Sequence, residues 1–159
     1  RTVTALLVTP ARTGDVLAAK AITGTALAFT EAVIMLLAVR ALGVHPGGLL
    51  ITVLLGAVLA TAVGMIAGSA GRDFMGTLFI GMIFMFALAV PAFSLMFPGA
   101  ASVWVKVIPS YGIVQAIYTL SSEGGGWAEA APYLLMALGW CAALFAVGLV
   151  VLKRKVEAL

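Results

Sequence analysis

Four long apolar stretches, set apart by short polar interruptions, give this chain its pattern, and they are read at residues 16–42, 49–70, 74–97 and 130–152. Each is long enough to cross about 30 Å of hydrocarbon, which takes roughly 20 helical residues. The first holds Glu31 within it and Arg40 near its far end, whereas the second carries no charge. Gly43 to Gly48, with His45 and Pro46 between the glycines, reads as a tight turn, and Gly71-Arg72-Asp73 as a short connector. Pro91 and Pro98 are expected to bend or end the third stretch, since proline gives a helix no N–H. Lys153, Arg154 and Lys155 stop the fourth.

Two segments depart from this pattern. In residues 98–129, Trp104, Ile108, Tyr111, Gln115 and Tyr118 recur at three- and four-residue steps, interrupted by Pro109. That spacing predicts two short helices with amphipathic aromatics at the extracytoplasmic membrane surface, followed by a hinge over 121–126. At the other end, Val3, Leu6 and Leu7 stand at helical spacing until Thr9-Pro10 interrupts them. Arg12-Thr13-Gly14-Asp15 then reads as a turn, and Thr13 or Asp15 caps the helix that continues through Lys20. Residues 1–15 are thus either an interfacial helix resting on lipid head groups or a docking surface just outside the bilayer.

Composition fixes the class. Hydrophobic residues make up 64% and charged residues 9% of the chain, against roughly 45–50% and 25% in an ordinary soluble domain. The expected fold is all-α and integral to the membrane: four transmembrane helices behind a cytoplasmic amphipathic helix, with short external helices before the last span. The lipid bilayer is the first partner. The net charge of +3 does not mark a nucleic-acid binder, because the basic residues sit at the ends of apolar runs. They also set the orientation. With both termini inside, Arg1, Arg12, Lys20, Arg72, Lys153, Arg154 and Lys155 are cytoplasmic and only Arg40 and Lys106 lie outside, as the positive-inside rule requires. A multi-pass cell-membrane protein is expected.

Chemistry is sparse. Cys141 and His45 are each the sole residue of their type, which excludes a disulfide within the chain and a His cluster. No phosphate-binding G-x-x-x-x-G-K-[ST], no G-x-S-x-G and no H-E-x-x-H occurs, so neither an ATPase nor a membrane hydrolase is expected, and no cofactor or metal of its own. Glu31 is the one acid deep in a span. An unpaired carboxylate in hydrocarbon is costly, so it faces protein or water or carries a proton. It is either an ion- or substrate-binding group or a hydrogen-bonded structural one, and Arg40 is half a helical turn out of phase with it. Gly56, Ala60, Gly64 and Gly68 recur every four residues along one ridge, a surface for a sliding neighbour or for close packing within one subunit. Phe79, Phe86, Phe93 and Phe97, with Met75, Met82, Met85 and Met96 among them, form a stripe that packs, meets lipid, or lines an adaptable path.

The string T-x-x-A-L-L-V-T-P-x-R-x-x-x-V-L-x-x-K over residues 2–20 resembles the cytoplasmic loop of type-2 ATP-binding-cassette (ABC) exporter permeases. Thr2, Leu6, Leu7, Thr9, Pro10 and Lys20 match that family's pattern, while Arg1 stands where Gly is usual and Thr4 where Glu is usual. The span order is similar to the last four of six spans in such permeases, and Pro98, Trp104, Pro109, Tyr111 and Ile117 loosely fit the segment before the last. The resemblance implies the C-terminal part of a six-span permease that works as a homodimer or heterodimer. Its cytoplasmic ATP-binding partner subunit, not this chain, would bind ATP. Thr2, Thr4, Leu6, Leu7, Thr9, Pro10 and Arg12 would contact that partner. The other readings are an ion-coupled secondary transporter or channel using Glu31, and a membrane scaffold.

Orientation is directly testable. In a Cys141→Ala background, Gly47→Cys and Gly125→Cys are expected to react with an impermeant thiol reagent in intact cells, and Arg72→Cys and Lys155→Cys are not. Labelling of the second pair alone inverts the topology.

Overall fold

The computed structural model describes residues 13–42, 45–71, 73–97, 103–122 and 125–157. They form five α-helices: α1 (Thr13–Ala38), α2 (Pro46–Ala70), α3 (Phe74–Met96), α4 (Tyr111–Ser121) and α5 (Trp127–Glu157), with a 3-10 turn at Val103–Val107 before α4. Windows in α1, α2, α3 and α5 are long and apolar enough to cross a membrane, so this is a multi-pass, all-helical membrane protein. The expected coupling residues Thr2, Thr4, Leu6, Leu7, Thr9, Pro10 and Arg12 lie outside the described residues.

Local chemistry explains where the helices differ from expectation. Helix α1 stops at Ala38, short of residue 42, because Arg40 adopts a left-handed φ of 53°. Around it, the Ala41 N–H donates to the Leu36 carbonyl at 3.0 Å and the Arg40 N–H to Leu37 at 3.1 Å. That pair of bonds is the Schellman closure normally built on glycine. Helix α2 starts at Pro46, earlier than residue 49, since proline suits a first helical position whose N–H has no partner anyway. Gly47 and Gly48, expected in a turn, are its first residues thereafter. Helix α3 runs straight through Pro91 to Met96, so Pro91 does not end it. Asp73 caps its start, accepting the Gly76 N–H at 2.7 Å.

Helix α2 is the hub. It packs against α1, α3, α4 and α5, and 39% of its apolar window is buried, against 6% for α1 and for α3. Its buried residues, from Leu49 and Thr52 to Ala67 and Ser69, cover most of its circumference, while Ile51, Leu54, Ala60, Gly64 and Gly68 stay exposed. Its seam with α5 runs in parallel. The Cys141 thiol reaches the Leu55 carbonyl at 3.3 Å, and a Cβ on Gly148 would sit 3.7 Å from Ile66. Small residues on α5 make that approach possible: Ala130 and Ala137 are fully buried, with Cys141 and Gly148 further along the same face. Helix α1 joins through Thr25, whose hydroxyl lies 3.3 Å from that of Thr61, which in turn donates to the Ala57 carbonyl at 2.8 Å.

The segment before the last span does not lie flat. Leu120 meets α2 at Gly48, its first turn, while Ile113 meets it at Gly56, about 12 Å further along at 1.5 Å per residue. Ser110 donates to the Leu88 carbonyl at 2.7 Å, about 12 Å back from the end of α3 by the same rise. The chain therefore folds back between the helices after α3, and α4 climbs out again beside α2 and α5. Of the short helices expected over 98–129, α4 packs against α2 and α5 with Ile113, Ala116 and Leu120 buried, while Val103, Trp104 and Val107 of the 3-10 turn are exposed. Such backbone is tolerated at membrane depth where protein covers it.

Gly112 permits the crossing of α4 on α5, because a Cβ there would stand 2.6 Å from the Tyr133 carbonyl oxygen. Gly112→Val is expected to destabilise the fold by about 1–3 kcal/mol through overpacking, read as a lower unfolding temperature in detergent. Gly64→Val, where no described atom lies within 4 Å, serves as the control. Equal losses from the two would mean that α4 does not sit against α5.

Candidate functional site

Polar groups that hold the fold-back come from several elements. Ser110, at the start of α4, spends its hydroxyl on Leu88 rather than on capping its own helix. Pro91 has no N–H to offer the Ala87 carbonyl one turn back, next to Leu88. Tyr111 meets Tyr133 edge-on, with ring centroids 6.3 Å apart. No buried side-chain polar atom among the described residues lacks a hydrogen-bond partner.

At the end of the bundle where α1 stops and α2 begins, His45 Nε2 lies 2.9 Å from the Gly125 carbonyl oxygen. A carbonyl only accepts, so that nitrogen carries a proton and donates. The bond ties the start of α2 to the approach to α5. Beneath it Leu49, Leu120 and Ala130 are fully buried and Leu42, Ile117 and Leu134 pack on them. Sequence reasoning treated His45 as a lone residue in a turn. No local signal placed it against Gly125, 80 residues away.

Two apolar hollows open between helices. One of about 340 Å³ lies under the fold-back, lined by Val63, Phe84, Leu88, Trp104, Ile108 and Leu144 among others. The second, about 840 Å³ and more open, runs between α1 and α5 over α2, with Phe29, Val58, Leu138, Cys141 and Phe145 in its walls. Neither is lined by an acid, a histidine or a basic side chain, the Cys141 thiol in the second being the one titratable group among the lining residues, and no cluster of three or more His, Cys, Asp or Glu that could hold a metal occurs among the described residues. What the hollows can hold is apolar: lipid chains, another helix, or a hydrophobic substrate.

The expected site residues do not converge. Glu31 is exposed on α1, and no hydrogen bond or ion pair reaches it among the described residues. Arg40 is exposed beyond the helix end and does not pair with it. On the insertion scale a charged residue at the centre of a span costs about 2.5–3.5 kcal/mol. Of the small-residue ridge, Gly56 is used, against Ile113. Ala60, Gly64 and Gly68 are exposed, and no described atom comes within 4 Å of a Cβ on Gly64 or Gly68. The ridge is therefore not the packing seam of α1, α3, α4 or α5. That role falls to the Ala130, Ala137, Cys141 and Gly148 face of α5, whose 7-4-7 spacing was legible in the sequence. Phe79, Phe86 and Phe93 with Met75, Met82 and Met85 are all exposed on α3, so that stripe faces outward rather than into this bundle.

Comparison with known protein families, curated proteins and solved structures finds no match to this chain.

His45→Ala removes one partner of a partly buried bond, worth about 1 kcal/mol. Amide exchange at Gly125 and Trp127 is expected to quicken roughly fivefold while the middle of α2 is unchanged. No change at Gly125 would mean that His45 does not hold this loop.

Proposed function

We propose that this chain is the membrane-spanning permease portion of an ABC-type exporter, moving substrate with ATP that a cytoplasmic partner subunit hydrolyses. The observation that carries the reading is the 2–20 string, in which Leu6 and Leu7 are followed by Thr9-Pro10 and then by Lys20 at the start of the first span. The four spans in their order support it. So does the outward-facing apolar surface of α1 and α3, which suits a protein that works as a homodimer or heterodimer. In this reading both termini are cytoplasmic in the cell membrane, and closure of the ATPase pair pushes on residues 2–9, tilting α1 against Thr61 of α2. The chain itself supplies no ATP site.

A second reading rests on Glu31, an acid within a span with no partner among the described residues: an ion-coupled transporter or channel in which that carboxyl binds the coupling ion. Glu31→Gln separates the two. Under the exporter reading transport keeps its pH dependence, and under the ion-coupled reading it loses that dependence while expression holds.

The exporter reading is tested at the coupling stretch. Burying Leu6 and Leu7 in a partner groove is worth roughly 1.5–3 kcal/mol each at most. Leu6→Asp/Leu7→Asp is expected to leave membrane expression near normal while abolishing ATPase co-purification and transport-stimulated ATP hydrolysis. Wild-type recovery of the ATPase by the double variant would reduce residues 2–10 to an interfacial helix.

A further inference from the structure

After α3 the chain turns back into the bundle, and it carries a basic side chain with it. Lys106 stands on the 3-10 turn Val103–Val107. The next residue, Val107, lines the smaller hollow together with Phe84, Ala87 and Leu88 of α3. Those three lie within three residues of Met85, the midpoint of the 23-residue apolar window Phe74–Met96. The end of that window is about 16 Å further on at 1.5 Å per residue, more than the four-carbon stem of a lysine spans. Counted among the outer basic residues on sequence, Lys106 is thus held near mid-membrane by the fold-back. It is exposed, and no hydrogen bond or ion pair reaches it among the described residues. A cation at that depth is costly unless it is paired or reaches water.

Beside this cation lies unfilled apolar space. The hollow, about 340 Å³ among Val63, Phe84, Leu88, Trp104, Ile108 and Leu144, is near the lower end of small-molecule sites. An α-helix, roughly 10–12 Å across, does not enter a space of that size between α2, α3, α5 and the turn, whereas a hydrocarbon chain does. A phospholipid matches it poorly, because its head group stays at the interface, about 15 Å from mid-membrane. We propose that the hollow under the fold-back binds a single-chain amphiphilic anion of the fatty-acid class, with the chain in the hollow and the carboxylate on Lys106. The carboxylate gives Lys106 its charged hydrogen-bond partner, and the apolar walls take the chain. With no charged side chain in those walls, the ligand enters from the hydrocarbon rather than from water. The site depends on the fold-back and not on an ATPase partner.

Photo-cross-linking of the purified protein in phosphatidylcholine nanodiscs tests the site. The probe is palmitic acid with a diazirine at mid-chain, and the control is the matching hexadecanol, which keeps the chain and drops the charge. Mass spectrometry locates the adducts. The acid is expected to label residues 84–88 and 104–109 saturably, about tenfold more strongly than the alcohol, the size of one hydrogen bond to a charged group. Unlabelled palmitate is expected to compete. Lys106→Met is expected to bring the acid down to the level of the alcohol with the unfolding temperature in detergent unchanged, and Lys106→Arg to keep the preference. Equal labelling by acid and alcohol in the wild-type protein, or a preference that survives Lys106→Met, overturns the proposal. So does labelling of the same residues by a water-soluble four-carbon diazirine acid, which would show a hydrated passage. Absence of adducts in the hollow with both long-chain probes would show that other protein fills it, and overturns the proposal too.

Discussion

Close approach between α2 and its neighbours is what the rest of the structure depends on. In lipid, apolar side chains gain nothing by leaving solvent for each other, so association rests on van der Waals contact and interhelical hydrogen bonds. Here α2 touches every other α-helix, while α1 and α3 leave most of their surface open. The contact is set by small groups at a few levels: Gly24 against Thr61, Gly48 under Leu120, and Gly148 beside Ile66. The thiol of Cys141 adds a weak donor to a carbonyl of α2 in the same seam.

The fold-back after α3 follows from that arrangement. Because α2 and α5 run parallel, the chain must return to the end where α2 began, and α3 supplies the return. Helix α4 then fills the space that two parallel helices leave beside each other, with Ile113, Ala116 and Leu120 inward. Turning the backbone among helices exposes polar groups that lipid cannot satisfy. Ser110 to Leu88, Tyr111 N–H to the Ile108 carbonyl at 2.9 Å, and Val114 N–H to the Ser110 carbonyl at 3.0 Å answer that need from within the protein.

Much of the fold was legible because length and apolarity are all a spanning helix has to declare. All four spans stand within a few residues of their expected places. The errors at their ends come from single residues: Arg40 turning left-handed, Pro46 opening a helix instead of a turn, Pro91 accommodated inside one. The fold-back was not legible, since aromatics at helical spacing describe a helix on the membrane surface as well as one tucked beside a span. What decided it was Gly112 and Ser110, which mean little until α5 and α3 are beside them. The ridge at Gly56, Ala60, Gly64 and Gly68 meets α4 only at Gly56 and is otherwise open, because periodicity identifies a face and not its neighbour. For the candidate site, the sequence pointed to Glu31 as the unusual group, and its outward position needed the packing of α1.

The account turns on α4 lying alongside α2 rather than on the membrane surface. In a Cys141→Ala background, Gly56→Cys with Ile113→Cys places two thiols where a Cβ on Gly56 would sit 3.6 Å from the Ile113 side chain, within reach of a disulfide. Mild oxidation in native membranes is predicted to cross-link this pair nearly completely, and an impermeant maleimide to leave Ile113→Cys unmodified. Ready labelling of Ile113→Cys, with no cross-link to Gly56→Cys, would place α4 at the surface and contradict the account.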